Sequence, residues 1–88
     1  MIYSIYVVRD LKTGFMTPTT DFNDASARRN FEHAVMQRNS LMYTHAEDYE
    51  LFKIGQYDSD TGYIESQMPT MICAGTDVKI KVGEFNGI

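Results

Sequence analysis

Asn23-Asp24-Ala25-Ser26-Ala27-Arg28-Arg29-Asn30-Phe31-Glu32-His33-Ala34-Val35 is the stretch that decides the fold. Asn23 can accept a hydrogen bond from a free amide of a first helical turn, and Asp24 suits the positive end of a helix dipole. Ala27, Phe31, Ala34 and Val35 then recur at three- and four-residue steps, and the aliphatic stem of Arg38 extends the same stripe. Arg28, Arg29, Glu32 and Gln37 fall elsewhere, towards water. The spacing predicts one main helix, ending near the turn-forming pair Asn39-Ser40.

Strand-like runs lie on both sides of it. Ile2-Tyr3-Ser4-Ile5-Tyr6-Val7-Val8 is β-branched and aromatic without glycine or proline, and reads as a strand buried on both faces. Asp10 to Gly14 reads as a turn, and Phe15-Met16-Thr17 as a short returning strand, because Pro18 has no N–H to donate. Downstream, Thr44-His45-Ala46-Glu47 has the spacing of a capping box and predicts one helical turn starting there. Leu51 to Tyr57 resumes strand character, Asp58 to Gly62 is a second turn, and Tyr63 to Ser66 follows as a strand. Pro69 interrupts, Met71 to Ala74 forms another short strand, and Val78-Lys79-Ile80-Lys81-Val82 alternates as a strand with both lysines on its wet face. The expected architecture is α+β: β-β-α-β-β with a C-terminal β extension, one helix packed on an antiparallel sheet. Residues 1–82 form the single domain, and 83–88 a frayed end.

One echo runs through the chain. Asp10-x-x-Thr13-Gly14-Phe15 and Asp58-x-x-Thr61-Gly62-Tyr63 share Asp-x-x-Thr-Gly-aromatic. Two similar hairpins closed through glycine-bearing turns explain it, whether by duplication or by shared turn chemistry.

Eighty-eight residues allow one domain, at roughly 100–150 residues for a typical one. With 43% apolar and 23% charged residues the chain is too apolar for a disordered tail. No apolar run approaches the ~20 residues of a membrane span, and no signal peptide is expected at Met1-Ile2-Tyr3-Ser4. Cys73 is the one cysteine, which excludes an internal disulfide and a cysteine-based zinc site, and it reads as a small core hydrophobe. His33 and His45 read as structural, and no glycine-flanked nucleophile or phosphate-cradling loop is present. Asp58-x-Asp60-x-Gly62 with Glu65 departs from the calcium-loop spacing and reads as a hairpin turn. No enzyme, metal or cofactor is therefore expected.

The net charge of −4 is unevenly spread. Residues 1–38 carry a balance of +1, residues 39–65 one of −5, and residues 66–88 are neutral. An acidic total disfavours nucleic acid, but one basic face would suffice. Six Tyr and five Phe offer rings on which unpaired bases can stack; core packing or contact between copies explains the same residues. Six methionines suit either an oligomer surface or core filling.

A resemblance narrows these alternatives. His45-Ala46-Glu47-Asp48-Tyr49-Glu50-Leu51-Phe52-Lys53-Ile54-Gly55-Gln56-Tyr57-Asp58 resembles the His-Pro-Glu-Asp-Phe-x-Leu-aromatic-x-Leu-Gly-x-aromatic-Asp segment of the gokushovirus non-structural protein VP5 family. Those viruses are tailless single-stranded DNA phages. Val8 to Phe15 resembles the family's Val-x-Asp-x-Lys-x-Gly-aromatic hairpin, and Asn23 to Phe31 its Asp-x-x-Ala-x-Arg-x-Phe helix start. Ala46 departs from the family's proline, Pro18 stands where a proline pair is usual, and residues 66–88 match no family segment.

The resemblance implies a non-enzymatic phage protein of the bacterial host cytoplasm, acting in single-stranded DNA synthesis or packaging. The expected partners are single-stranded DNA, further copies of the chain, and phage replication or capsid proteins, without a membrane. Charge and ring placement nominate Arg9, Lys12, Arg28, Arg29 and Arg38 for phosphates, with Lys79 and Lys81 in reserve, and Phe15 and Tyr63 as stacking platforms. The competing reading is a protein-interaction module that uses the acidic stretch Glu47 to Glu65.

Overall fold

The β-rich N-terminus and its partners build one antiparallel sheet. The computed structural model describes residues 1–81, with the backbone alone at 80 and 81; the expected frayed end at 83–88 and the side chain of Lys81 lie outside the described residues. Strand β1 (Ile2–Asp10) sits at the centre, antiparallel to β4 (Tyr49–Asp58), which pairs in turn with β5 (Ile64–Ala74). On its other side β1 pairs with two short pieces, β2 (Gly14–Phe15) and β3 (Thr19–Asp21). The α+β class and the single main helix are as the sequence predicts. β3 is an addition: after Pro18 breaks the ladder, the chain resumes pairing opposite Ser4 to Tyr6.

The two turns begin with one chemistry. In the first, the Lys12 amide donates to Asp10 Oδ1 at 2.9 Å; in the second, the Asp60 amide donates to Asp58 Oδ1 at 2.9 Å. Gly14 and Gly62 follow at φ +114° and +78°, where a side chain would be strained. The echo in the sequence is thus one Asp-initiated start with two closures: the Thr13 amide donates to the Asp10 carbonyl at 3.1 Å, the Gly62 amide to the Asp58 carbonyl at 2.7 Å.

Helix α1 (Asp24–Val35) is capped by Asn23, whose side chain accepts from the Ser26 amide at 2.8 Å. It buries Ala27, Phe31 and Val35 against Tyr6, Leu51 and Cys73 of the sheet. The helix ends at Val35, short of the predicted Asn39-Ser40. The apolar stripe runs out there, and Ser40 instead caps a separate short helix, α2 (Leu41–Thr44), accepting from the Tyr43 amide. Thr44 therefore ends a helix and does not begin one, so the capping box is not formed. A 3-10 turn (Ala46–Asp48) carries the chain into β4.

Two further predictions are corrected. Ile64–Ser66 of the predicted Tyr63–Ser66 strand and Met71–Ala74 belong to one edge strand, β5, which leaves Tyr63 outside it and in which Pro69 lies within an irregularity between the Gly55–Ser66 and Lys53–Thr70 pairs. An edge accommodates a residue that cannot donate to the ladder. Val78 to Lys81 lies in helix α3 (Gly75–Lys81), not in a strand. Five alternating residues are too few to distinguish the two periods, and docking decides. Val78, 2% exposed, joins the core. Lys79 is 8% exposed, and its amine donates to the Tyr43 carbonyl at 2.9 Å and stands 3.7 Å from the Tyr43 ring. Lys79 thus fastens α3 to α2, away from the solvent face the alternation suggested.

Gly75 makes this docking possible, because a Cβ there would land on the backbone carbonyl of Ala46. Gly75→Ala is expected to destabilise by ~1–3 kcal/mol as α3 is pushed off the 3-10 turn, a loss that exceeds any gain in helix propensity. A urea melt measures it. Unchanged stability would mean that the contact at Ala46 is soft.

Candidate nucleic-acid interface

The described helices pack on one face of the sheet, and among the described residues none covers the other. In the β1–β4–β5 register, Tyr3, Ile5, Val7 and Arg9 share that second face with Glu50, Phe52 and Tyr57, and with Ile64 and Met71. The strand Ile2 to Val8 is therefore not buried on both faces: Ile5 is only half-buried. Val7 alone is 4% exposed, under Phe15, Met16, Pro18, Ile54 and Pro69, which form a small apolar cluster with it.

One end of this face carries a basic–aromatic group. Phe15, 53% exposed, pairs with Arg9 across the β1–β2 ladder. Its ring meets that of Phe52 edge-on at 5.7 Å, and the Arg9 guanidinium lies 5.8 Å from its centroid. Lys12 is exposed on the adjoining turn. Glu50 approaches Arg9 at 4.0 Å, a long and half-exposed ion pair that binds weakly.

The remaining nominated residues lie elsewhere. Arg28 and Arg29 are on the outer side of the helix layer, behind the sheet. Arg28 donates to the Ile72 carbonyl at 2.8 Å, tying α1 to β5. Arg29 lies near Asp21; burial would raise that carboxyl, but donation from Ser26, the Phe22 amide and Asn30, with the Arg29 charge, holds it below its ordinary value. Arg38 donates to the Tyr43 hydroxyl at 3.0 Å and flanks the same ring that Lys79 flanks. Tyr63, 65% exposed, stands at the tip of the β4–β5 hairpin among Asp58, Asp60 and Glu65. Six residues of β1 separate the Arg9 end from Tyr3 and Tyr57, or about 20 Å at 3.3 Å each. The structure thus brings Arg9, Lys12 and Phe15 together and sets apart the helix arginines, the Arg38–Tyr43–Lys79 cluster and Tyr63.

Sequence reasoning missed Phe52 as a member of this site. Alternation within Tyr49-Glu50-Leu51-Phe52 does place Phe52 opposite the core pair Tyr49 and Leu51, but with both faces apolar the letters do not say which is covered. A separate groove of about 340 Å³ between α1 and β3 is lined by Tyr6, Asp21, Asn30 and Phe31 and has no cation in its wall. Among the described residues no three of His, Cys, Asp and Glu converge as a metal site would require, and no helix is long and apolar enough to cross a membrane.

Comparison with curated proteins and with solved structures gives no match. A profile of the family described as Phage ORF5 protein matches residues 3–78, from Tyr3 of β1 to Val78 of α3. The match spans the sheet, the main helix and the segment after residue 65, where the earlier resemblance ended. The chain belongs to the phage ORF5 protein family.

Proposed function

We propose that this phage protein is a non-enzymatic accessory of single-stranded DNA genome synthesis or packaging in the host cytoplasm, and that it binds single strands without sequence preference. The resemblance to gokushovirus VP5 supplies the setting. One observation supports the binding mode: exposed Arg9, Lys12 and Phe15, with the half-buried Phe52 ring against Phe15, form a basic–aromatic group at one end of the sheet face opposite the helices. Arginine beside a ring pairs a phosphate contact with a stacking surface, and stacking contributes ~1–3 kcal/mol per base whatever the base. Tyr63 is a poor partner for a polyanion, since three carboxylates surround its turn. Arg28 and Arg29 contribute long-range attraction only, because both lie on the helix layer away from this end of the sheet, where Arg28 holds the Ile72 carbonyl.

Fluorescence anisotropy of a labelled ~20-nucleotide single strand, titrated at several salt concentrations beside a duplex control, tests the reading. Arg9→Glu with Lys12→Glu should weaken binding at least ~tenfold and flatten the salt slope by ~0.7 per lost phosphate contact. Arg28→Glu with Arg29→Glu should cost about threefold, through the field alone. Glu50→Gln frees Arg9 and should tighten binding two- to threefold, on the order of the ~0.5 kcal/mol of an exposed pair. Absence of binding at ~50 mM salt by a folded protein would end the DNA reading. The acidic β4–β5 tip would then be the surface to probe for a protein partner, by reversing Asp58 and Asp60.

A further inference from the structure

We infer that the apolar pocket beside Phe15 receives one base of the bound single strand and favours thymine over the other pyrimidines. The inference rests on the single-strand reading above and deepens it. No order of bases is read; the bias is one of composition.

The pocket adjoins the proposed phosphate contact. Val7, buried in β1, is its floor, and Phe15, Met16, Pro18, Ile54 and Pro69 are its walls. Phe15 belongs both to the pocket and to the basic–aromatic group, with the Arg9 guanidinium 5.8 Å from its ring centroid. Val7 and Arg9 are next-but-one on β1 and project from the same face, ~7 Å apart at ~3.3 Å per residue. A nucleotide whose phosphate meets Arg9 therefore has its base at the mouth of the pocket. The neighbouring groove, lined by Ile5, Tyr57 and Ile64, lies towards Asp58, Asp60 and Glu65 and is a poor place for a polyanion.

Size and chemistry then select the base. The pocket is shallow and measures about 260 Å³. A closed apolar cavity of ~150 Å³ holds a benzene ring, so this one has room for a pyrimidine and its substituents. All six side chains are apolar, and the two prolines have no N–H to offer. Every base brings polar groups that such walls cannot serve, and burying them unpaired is costly. Among the pyrimidines thymine alone also brings a C5 methyl, which gains from apolar contact. Uracil differs from it by that methyl and nothing else.

Competition anisotropy with the full chain tests this, using homopolymers of thymidine, deoxyuridine and deoxycytidine, each ~20 nucleotides long, at ~50 mM salt. The thymidine strand should bind about two- to fourfold tighter than the deoxyuridine strand, the upper value being one fully buried methyl at ~0.8 kcal/mol. Charge and backbone are the same in both strands and cancel from the ratio. The deoxycytidine strand should also bind more weakly than the thymidine strand. Met16 is 48% exposed and lies between β2 and β3, so Met16→Gln exchanges one wall for an amide that can hydrogen-bond a base edge. That variant should lower the thymidine-to-deoxyuridine ratio below ~1.5, with unchanged circular dichroism and the deoxyuridine strand bound at least as tightly. Equal affinity for the two strands, or an undiminished ratio in Met16→Gln, would overturn the inference while leaving single-strand binding in place, and would assign the pocket to a protein partner. No binding of any strand by the folded chain would overturn both.

Discussion

Phe31→Ala is expected to cost ~3–5 kcal/mol, the loss typical of a fully buried aromatic truncated in a core. Phe31 is 4% exposed at the middle of α1, between Ala27 and Val35, and belongs to the cluster that joins the helix to Tyr6, Leu51, Cys73 and Val78. A domain of 88 residues has ~4–13 kcal/mol of stability in total, so this one change removes a large share of it. The loss should lower the melting temperature by at least ~12 °C, at ~4–8 °C per kcal/mol. Urea and thermal melts followed by circular dichroism measure both. A cost under ~1 kcal/mol would mean that α1 does not hold the sheet's covered face.

The second large effect is alkaline destabilisation through Tyr6. This residue is 1% exposed, and its hydroxyl donates to Asp24 Oδ1 at 2.5 Å, linking the central strand to the first turn of α1. Burial first, and then the hydrogen bond to Asp24, push its pKa up to about 12 from 10.0. The ionised form of tyrosine is the anion, so a raised value means that the folded protein keeps a proton the unfolded chain releases. Between pH 10 and 12 the unfolded state therefore binds fewer protons, and stability falls as pH rises. At ~1.4 kcal/mol per unit the full loss approaches ~2–3 kcal/mol. Tyr49, raised by burial and by Asp10, adds to it in the same direction. Tyr6→Phe should cost ~1–2 kcal/mol at pH 8, where the hydrogen bond is intact in the wild-type chain. By pH ~11.5 the gap between the two proteins should close, because phenylalanine has no proton to lose. A gap that stays constant with pH would dissociate Tyr6 from the alkaline transition.

Much of this molecule is legible in its letters. Asn23 caps α1 because its short side chain reaches the Ser26 amide; Ala27, Phe31 and Val35 face the core because they recur at helical spacing. Asp10 and Asp58 open their turns with the same side-chain contact, and Gly14 and Gly62 complete them, because few other residues tolerate those backbone angles. These are local matters, settled within a few residues. Where the reading failed, distant contacts outweighed local preference. Thr44-x-x-Glu47 has capping-box spacing, yet Ser40 and the docking of Tyr43 fix the helix four residues earlier. Val78-Lys79-Ile80-Lys81 alternates like a strand, yet Gly75 lets the chain approach Ala46, and the core takes Val78 in a helix.

The candidate site divides in the same way. The sequence identified Arg9, Lys12 and Phe15 as neighbours of one turn, and the ladder places them together. It also grouped them with Arg28, Arg29, Arg38, Lys79 and Tyr63, which the fold disperses or engages in contacts of its own. Phe52 joins the group only through β1–β4 pairing, across more than thirty residues of chain.

Composition and periodicity by themselves determined the α+β class, the main helix, both turns and the central strand, because hydrogen-bonding and steric preferences act over a few residues. Tertiary structure alone decided which face of an apolar strand is covered and which cations stay exposed. Burial and charge pairing belong to contacts between distant segments, and no single segment carries that information.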